Sequence, residues 1–276
     1  MSDLHSLPPL REVIAAHGLR AEKKLGQNFL LDQNLTDKIA RSAGDLTGAH
    51  VIEIGPGPGG LTRSLLRAGA QKVWAVEYDV RAVAALQDLQ TAAQGRLEIV
   101  QGDALETDLM ALCAQPRVIV ANLPYNIATP LLLGWLRQIR MQGAGAYQSM
   151  SLMFQKEVAQ RITAQPGSKS YGRLSVMAGW LCDCRKVFDL PPSAFTPPPK
   201  VKSSIVHFKS RVLEGDAPAF EVVEALTAAA FGQRRKMIRS SLRDYMGAVE
   251  ACGLDPALRA EDLSVADYIR LAQILT

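Results

Sequence analysis

The chain has 276 residues, of which 48% are hydrophobic, and a formal net charge of +4. This length and composition predict a globular protein with room for one large domain and a small second one. The apolar runs, such as Val118 to Ala121, are too short to span a bilayer, and the N-terminus lacks the basic start and apolar run of a secretion signal. We therefore expect a cytoplasmic protein and neither a membrane protein nor a secreted one.

The four cysteines are Cys113, Cys182, Cys184 and Cys252. They are too few and too scattered to form a disulfide framework in a chain of this length, so we expect reduced thiols. Cys182 and Cys184 have no second pair of Cys or His at ligand spacing, and we predict no metal site.

The N-terminal region predicts a short helix and then a loop. The segment Leu10 to Gly18 follows two prolines and ends at a glycine, as helices often do. Lys23 to Leu30 has no clear hydrophobic period, which favours a loop.

The region from Val51 to Phe154 alternates short apolar runs with longer amphipathic stretches. This alternation is typical of βαβ units around a mainly parallel sheet, so the predicted fold class is α/β. The predicted strands are Val51 to Ile54, Val73 to Glu77, Leu97 to Gln101, Arg117 to Ala121 and Met150 to Phe154.

The segments after this core predict two helices, a connector and a last strand. The helices are Lys156 to Thr163 and Leu174 to Trp180. The proline-rich stretch Pro191 to Pro199 forbids regular helix and favours an extended connector. Ser203 to Phe208 then alternates like a strand.

From about Gly215 onward helical signals dominate. Asp255 and Pro256 predict a helix cap with a first-turn proline, and Ser264 with Asp267 predicts a capping box that opens the last helix. We therefore divide the chain into an α/β domain with an N-terminal loop, residues 1–210, and a helical domain, residues 211–276.

A cofactor site is predicted at the carboxyl ends of the first three strands. Gly55, Gly57 and Gly59 form a turn that a ligand can approach closely, although the turn alone is also compatible with a tight strand-to-helix connection. Glu77 ends the next strand, where it can accept bonds from ribose hydroxyls, and Asp103 follows the third, where it can receive an adenine amine. No phosphate-binding Gly-Lys-Ser/Thr motif is present, which favours S-adenosylmethionine over a nucleoside triphosphate.

A catalytic site is predicted at the end of the fourth strand, in Asn122, Leu123, Pro124 and Tyr125. The Asn122 amide oxygen and the Leu123 carbonyl, held outward by Pro124, are two acceptors for the hydrogens of an adenine amine. Tyr125 can stack on the extruded base. The alternative is an ordinary turn, since Asn and Pro are common turn residues. The position of the tetrad behind a matching cofactor site favours catalysis.

The ordered motifs resemble those of the ribosomal RNA adenine dimethyltransferases, and most of all the branch that modifies 16S RNA of the small subunit. The motifs are Leu25-Gly26-Gln27-Asn28-Phe29-Leu30, Glu53-Ile54-Gly55-Pro56-Gly57, Gly102-Asp103-Ala104, Asn122-Leu123-Pro124-Tyr125-Asn126, Phe195-Thr196-Pro197-Pro198-Pro199-Lys200-Val201 and Phe231-Gly232-Gln233-Arg234-Arg235-Lys236. The resemblance implies a Rossmann-like methyltransferase that places two methyl groups on each of two adjacent adenosines in a hairpin loop near the 3′ end of this RNA.

The resemblance also implies roles for individual residues. Gln27, Asn28 and Leu30 would close over S-adenosylmethionine. The whole set assigned to the cofactor is Gln27, Asn28, Leu30, Gly55, Gly57, Glu77, Asp103, Ala104 and Asn122. Phe195 matches a second aromatic and would sandwich the adenine opposite Tyr125, or else anchor the proline-rich loop as a buried residue.

A basic run in the C-terminal region predicts contact with RNA. It contains Arg234, Arg235 and Lys236, to which Lys200 and Lys202 would contribute. The alternative is a solvated helix face. The implied partner is 16S rRNA in the small ribosomal subunit or its precursor, bound by a monomer.

Three rival functions stay open. A large-subunit 23S RNA dimethyltransferase of the macrolide-resistance type shares the cofactor and catalytic motifs. A non-catalytic ribosome assembly factor would keep the fold but not need the intact Asn122 tetrad. A DNA adenine methyltransferase would need a recognition region for duplex bases, for which the small helical tail is a poor candidate.

Overall fold

The computed structural model describes residues 4, 6–22, 26–213 and 215–276. The strands in these ranges are β1 (Phe29–Leu30), β2 (His50–Ile54), β3 (Lys72–Glu77), β4 (Leu97–Gln101), β5 (Arg117–Ala121), β6 (Ser149–Gln155), β7 (Cys182–Leu190), β8 (Phe195–Thr196) and β9 (Ser203–Ser210). The helices are α1 (Leu10–Ala16), α2 (Gln33–Ser42), α3 (Gly60–Arg67), α4 (Val80–Ala85), α5 (Gln87–Ala92), α6 (Leu109–Leu112), α7 (Ala128–Gln142), α8 (Lys156–Ile162), α9 (Arg173–Leu181), α10 (Phe220–Gly232), α11 (Ile238–Ser241), α12 (Met246–Ala251) and α13 (Val265–Ile274).

The main sheet has seven strands in the order β4-β3-β2-β5-β6-β9-β7. Its first five strands are parallel, whereas β9 is antiparallel to both β6 and β7. The predicted α/β class with a mainly parallel sheet is confirmed. The central strands are buried on both faces, which is why they could be found in the sequence as apolar runs without alternation.

The strand order reverses direction between β2 and β5, because β3 and β4 lie on one side of β2 and β6 lies beyond β5. In open α/β sheets such a switch point leaves a crevice at the carboxyl ends of the strands. The turns after β2 and β5 begin with Gly55 and Asn122, so the fold brings the two predicted motifs to the same crevice.

The N-terminal segment crosses this crevice. We call residues 26–30 the strap. Its strand β1 pairs with β8, with Leu30 opposite Phe195, and so ties the strap to the proline-rich region. The predicted loop over Lys23 to Leu30 was wrong for Phe29–Leu30, since a two-residue strand carries no periodic signal. Lys23, Lys24 and Leu25 lie outside the described residues.

Strand β7 was missed by the sequence analysis. It is an edge strand with polar residues on both faces, including Asp183, Arg185 and Lys186. Such edges lack the hydrophobic alternation that predicts a strand, and β7 forms because β9 offers it a ladder of backbone hydrogen bonds. The proline-rich segment contains one short 3₁₀ turn, Pro192–Ala194, and no α-helix, as predicted.

The C-terminal helices α10 and α13 pack on α9, and residues of both predicted domains share one hydrophobic core. The division after residue 210 stays a prediction. The capping box of Ser264 and Asp267 at α13 is confirmed. The predicted helix at Asp255 was wrong: its carboxylate accepts the Ala257 backbone N–H but closes only a turn, which the chain does not continue as a helix. In the described part of the chain, no helix is long and apolar enough to cross a membrane.

Candidate active site

A cavity lies at the crevice between the carboxyl ends of the parallel strands. Four segments enclose it: the strap, the turn after β2, the ends of β3 and β4, and the tetrad after β5. Among the residues that line it are Gln27, Asn28, Leu30, Glu53, Gly55, Gly57, Glu77, Asp103, Ala104, Asn122, Leu123, Pro124 and Tyr125. Every predicted cofactor residue and four of the five predicted catalytic residues therefore meet in one place.

The glycine turn has two kinds of glycine. Gly55 and Gly57 line the cavity with φ values of +66° and +55°, which L side chains rarely adopt. Gly59 instead faces the protein, where a Cβ would come within 2.8 Å of the Leu86 and Leu89 side chains. The first two glycines thus shape the ligand side of the turn, and the third lets helices α4 and α5 pack against it.

Glu77 is buried and bridges two parts of the site. One carboxylate oxygen accepts the Gly57 backbone N–H at 3.0 Å, and the other accepts the Asp79 backbone N–H at 2.8 Å. Burial raises the pKa of Glu77, an effect that these bonds oppose. Each oxygen keeps a second lone pair, so Glu77 can fix the glycine turn and bind two ligand hydroxyls at once.

Hydrogen bonds at two adjacent residues, Gln27 and Asn28, hold the strap over the cavity. Gln27 donates from Nε2 to Asp79 at 2.9 Å and accepts the Glu22 backbone N–H at 3.0 Å. Arg81 bonds the same Asp79 carboxylate and holds its pKa down to about 2, so this carboxylate is ionised at neutral pH. The amide of Gln27 therefore positions the strap as well as lining the cavity.

At the next residue of the strap, Asn122 Nδ2 donates to the Asn28 backbone carbonyl at 3.0 Å. A carbonyl oxygen only accepts hydrogen bonds, so the amide nitrogen of Asn122 must be the group that faces it. The side-chain oxygen of Asn122 is thereby left as the acceptor for a ligand. This orientation is the one that the predicted catalytic role requires.

Tyr125 lines the cavity, and its hydroxyl bonds Ser203 Oγ at 2.5 Å. Ser203 is fully buried at the start of β9. Burial raises the pKa of Tyr125, so its hydroxyl is neutral at physiological pH. The ring is thus held at one edge by a group that sequence analysis did not single out.

Phe195 lies elsewhere. Its side chain is 3% exposed, belongs to the hydrophobic core under the strap, and does not contact the cavity. The ring packs in the core while β8 pairs with β1, so it is not part of the cavity wall. The structure corresponds to the second interpretation of Phe195, a buried anchor for the proline-rich loop.

The chemistry of the lining points to a particular class of ligand. The described residues that line the cavity include the carboxylic acids Glu53, Glu77 and Asp103 but no Lys or Arg. A phosphate group would find no cation here, whereas a sulfonium or ammonium group would find acids and apolar walls. The site therefore fits S-adenosylmethionine, which carries both positive groups and an adenosine.

The predicted RNA-binding residues have different surroundings. Arg234 donates from Nε to Glu261 at 2.6 Å and from Nη2 to the Ser168 carbonyl at 3.3 Å, so it ties the C-terminal region to the loop before α9. Arg235 and Lys236 are exposed. Lys200 and Lys202 are exposed as well, beside β8 and β9.

Glu53 belongs to one of the sequence motifs, but the sequence analysis predicted no role for its side chain. Its side chain is 1% exposed, and among the described residues its Oε2 has no hydrogen-bond partner. Burial, with help from the nearby Glu77, raises the pKa of Glu53 from 4.5 to about 8. The folded protein thus carries Glu53 as a neutral acid at pH 7.

We expect Glu53→Gln to remove a pH dependence of stability. Between pH 4.5 and 8 the folded protein keeps a proton on Glu53 that the unfolded chain loses, so the free energy of unfolding falls as the pH rises through this interval. The neutral variant should lose this part of the slope and melt above the wild type at pH 8. Thermal unfolding from pH 5 to 8, with the exposed Glu250→Gln as control, measures it. Equal slopes in both proteins would contradict the assignment.

Comparisons with known proteins agree with this geometry. The sequence model of the family described as "Ribosomal RNA adenine dimethylase" matches residues 18–276. A protein of Rhodospirillum rubrum called "Ribosomal RNA small subunit methyltransferase A" is 54% identical over 270 residues, covering 97% of this chain and 92% of its own. A protein of the same name from Mesorhizobium japonicum is 56% identical, with 97% and 98% covered.

Two solved structures are similar as well. A dimethyladenosine transferase from Plasmodium falciparum has a TM-score of 0.70 at 26% identity, with 87% of this chain and 94% of that one covered. The 23S rRNA methyltransferase ErmE has a TM-score of 0.67 at 26% identity, with 89% and 98% covered. Since the family model and the relatives named above span nearly the whole chain, the protein belongs to the ribosomal RNA adenine dimethylase family.

Proposed function

We propose that the protein transfers methyl groups from S-adenosylmethionine to the N6 amines of two adjacent adenosines in a hairpin loop near the 3′ end of 16S rRNA, two methyl groups to each. One observation carries the proposal. An acid-lined cavity without a lining Lys or Arg adjoins Asn122, whose side-chain oxygen is left as an acceptor by the bond to Asn28. A methyl donor and an amine acceptor can therefore share the same crevice.

S-adenosylmethionine would supply an electrophilic methyl group bonded to a positively charged sulfur. The protein would hold it through Glu77 and Asp103 at the strand ends, the Gly55 and Gly57 turn, and the strap. Glu77 would bind the ribose and Asp103 the adenine amine, with Ala104 beside it. Gln27, Asn28 and Leu30 would exclude water from above.

The tetrad would prepare the target amine for attack. The nitrogen lone pair of adenine is delocalised into the ring, which makes it a weak nucleophile. Two acceptors on its hydrogens, the Asn122 side-chain oxygen and the Leu123 carbonyl, would favour the tetrahedral nitrogen of the transition state over the planar one. Pro124 would fix the carbonyl, and Tyr125 would stack on the base.

The small-subunit RNA is supported as the substrate by the relatives. Proteins that are 54–56% identical to this chain are named for the small subunit, whereas ErmE, named for 23S rRNA, is 26% identical. The exposed Arg235 and Lys236 would contact phosphates, together with Lys200 and Lys202. Arg234 would support them from its bond with Glu261.

The alternative function, a 23S rRNA dimethyltransferase, is supported by the similarity in fold to a 23S enzyme. The similarity in fold to ErmE, with a TM-score of 0.67, is nearly as high as that to the dimethyladenosine transferase, at 0.70. The catalytic core therefore does not separate the two substrates. A non-catalytic assembly factor is disfavoured by the intact tetrad and its orienting bond.

The test is to incubate the protein with methyl-labelled S-adenosylmethionine and with small-subunit or large-subunit particles that lack the modification. We expect label in small-subunit particles, and mass spectrometry should find two dimethylated adenosines near the 3′ end of the RNA. Label in large-subunit RNA alone would reject the proposal in favour of the 23S enzyme. No label in either would favour the assembly factor.

Ser203→Ala is expected to lower the efficiency of methyl transfer several-fold. The change removes the group that holds the Tyr125 hydroxyl, so this buried hydroxyl would be unpaired. The ring would also lose its fixed stacking position. Tyr125→Phe should cost a similar amount, and the double variant no more than either single one. Methylation kinetics on small-subunit particles measure this. Additive losses would show that the two residues act separately.

A further inference from the structure

Two lysine side chains converge on one carboxylate near the catalytic end of the sheet. Lys156 Nζ lies 2.7 Å from Asp189 Oδ2, and Lys186 Nζ lies 3.1 Å from Asp189 Oδ1. Ser204 Oγ also donates to Asp189 Oδ1, at 2.8 Å. The bond with Lys156 leads the causes that hold the pKa of Asp189 far below its usual range, so the carboxylate is charged at any physiological pH.

The two ammonium groups keep donors for a further partner. An ammonium has three N–H donors, and Asp189 is the one partner of each group among the described residues. Both side chains are about one-third exposed. An anion that arrives from solvent could therefore bind both lysines without first breaking their bonds to Asp189.

Lys156 is linked to the cavity wall through a short chain of contacts. Lys156 follows the last residue of β6, and its backbone N–H donates to the Lys202 carbonyl at 2.9 Å. The residue after Lys202 is Ser203, which bonds Tyr125 in the cavity wall. We call Lys156, Lys186 and the exposed Lys202 the lysine surface. Lys156 and Lys186 share the single carboxylate of Asp189, and Lys202 is exposed, so the three lysines carry more positive charge than Asp189 neutralises.

We propose that the lysine surface binds the phosphodiester backbone of the RNA beside the adenosine that enters the cavity. The inference rests on the proposed function. A base held against Tyr125 stays joined to its sugar and to the flanking phosphates. The RNA backbone on both sides of this nucleotide must therefore run over the protein surface around the cavity. The cavity lining has no Lys or Arg among the described residues, so the phosphates need cations outside it. The lysine surface supplies them next to Tyr125, and phosphate contacts of this kind fix the register of an RNA.

The alternative is that the ion pairs only fasten β7 to the start of α8. The two interpretations differ in what they predict for Asp189. If the lysines bind phosphate, their charge is needed and that of Asp189 opposes binding. If the pairs are only structural, removing Asp189 and removing the lysines should have the same effect.

The experiment measures binding to small-subunit particles that lack the modification, at several KCl concentrations. Three proteins are compared with the wild type: the double variant Lys156→Gln/Lys186→Gln, Asp189→Asn, and the control Lys72→Gln/Lys209→Gln. The control lysines lie at the opposite, amino end of the parallel strands, since Lys72 begins β3 and Lys209 pairs with the first residue of β6. Thermal unfolding of each variant checks that it is folded.

We expect the double lysine variant to bind several-fold more weakly at 0.1 M KCl, and its salt slope to fall by about 0.7–0.9 for each phosphate that the variant no longer neutralises. Asp189→Asn should bind as tightly as the wild type or more tightly, and the control should match the wild type. An unchanged slope in the lysine variant would overturn the inference. So would a loss in Asp189→Asn equal to that of the lysine variant. Wild-type protein that fails to methylate the particles would instead count against the proposed function.

Discussion

Asn122→Ala is expected to slow methyl transfer by roughly 10²–10³-fold, the usual cost of removing one preorganised hydrogen-bond partner of a transition state. The lost oxygen would interact with the amine most strongly as its nitrogen becomes tetrahedral. Binding of the planar base depends more on stacking. The loss should therefore fall on the chemical step, with little change in the affinity for RNA or cofactor.

The hydrogen bond between Asn122 and the strap also predicts the effect of a second substitution, Asn122→Asp. Asn122→Asp keeps a side-chain oxygen but replaces the N–H donor with a second acceptor, which would face the Asn28 carbonyl. We therefore expect this near-isosteric change to be almost as damaging as alanine. Asn34→Ala, in the exposed first turn of α2, is the matched control and should leave turnover unchanged.

The measurement is a single-turnover assay with saturating S-adenosylmethionine on small-subunit particles, together with binding titrations. Normal turnover in Asn122→Ala would remove the side chain from the mechanism. Weak binding with a normal single-turnover rate would make Asn122 a binding residue.

The sequence predicted the parts of the site that follow buried parallel strands. Gly55, Glu77, Asp103 and Asn122 each come at or just after the end of an apolar run, and the topology of parallel sheets brings such ends together. Their meeting in one cavity needed no knowledge of side-chain packing.

The parts that depend on contacts between distant segments were not predictable in this way. Phe195 is buried because β8 pairs with β1, two short strands that are about 165 residues apart in the chain. Ser203 bonds Tyr125 across 78 residues, and Arg234 bonds Glu261 across 27 residues. No local pattern encodes these pairings, so composition alone made Arg234 look like a free cation.

Glu77→Ala is expected to weaken S-adenosylmethionine binding by roughly 10²-fold or more. Hydrogen bonds to a charged group contribute about 1.5–3 kcal/mol each, and the proposed role of Glu77 includes two bonds to the ribose. The variant would also leave the Gly57 and Asp79 backbone N–H groups without their acceptor. The glycine turn itself should therefore become less well ordered.

Because the Glu77 carboxylate holds the glycine turn as well as the proposed ribose, we expect Glu77→Gln to weaken cofactor binding too. Both oxygens of Glu77 accept a backbone N–H, so the NH₂ group of a glutamine would have to face one of these donors. We expect Glu77→Gln to lose much of the affinity that Glu77→Ala loses, although it preserves the shape of the side chain. A residue that bound only the ribose would tolerate this change better.

Calorimetric titration with S-adenosylmethionine, well below the melting temperature of each variant, measures the loss. Glu106→Ala is the matched control, because Glu106 lies three residues after Asp103 but is exposed and does not line the cavity. It should bind the cofactor as the wild type does. Unchanged affinity in a folded Glu77→Ala protein would take Glu77 out of the cofactor site. The acids that line the cavity would then have to be explained by Asp103 and the neutral Glu53 alone, which leaves the ribose without a partner at the end of β3.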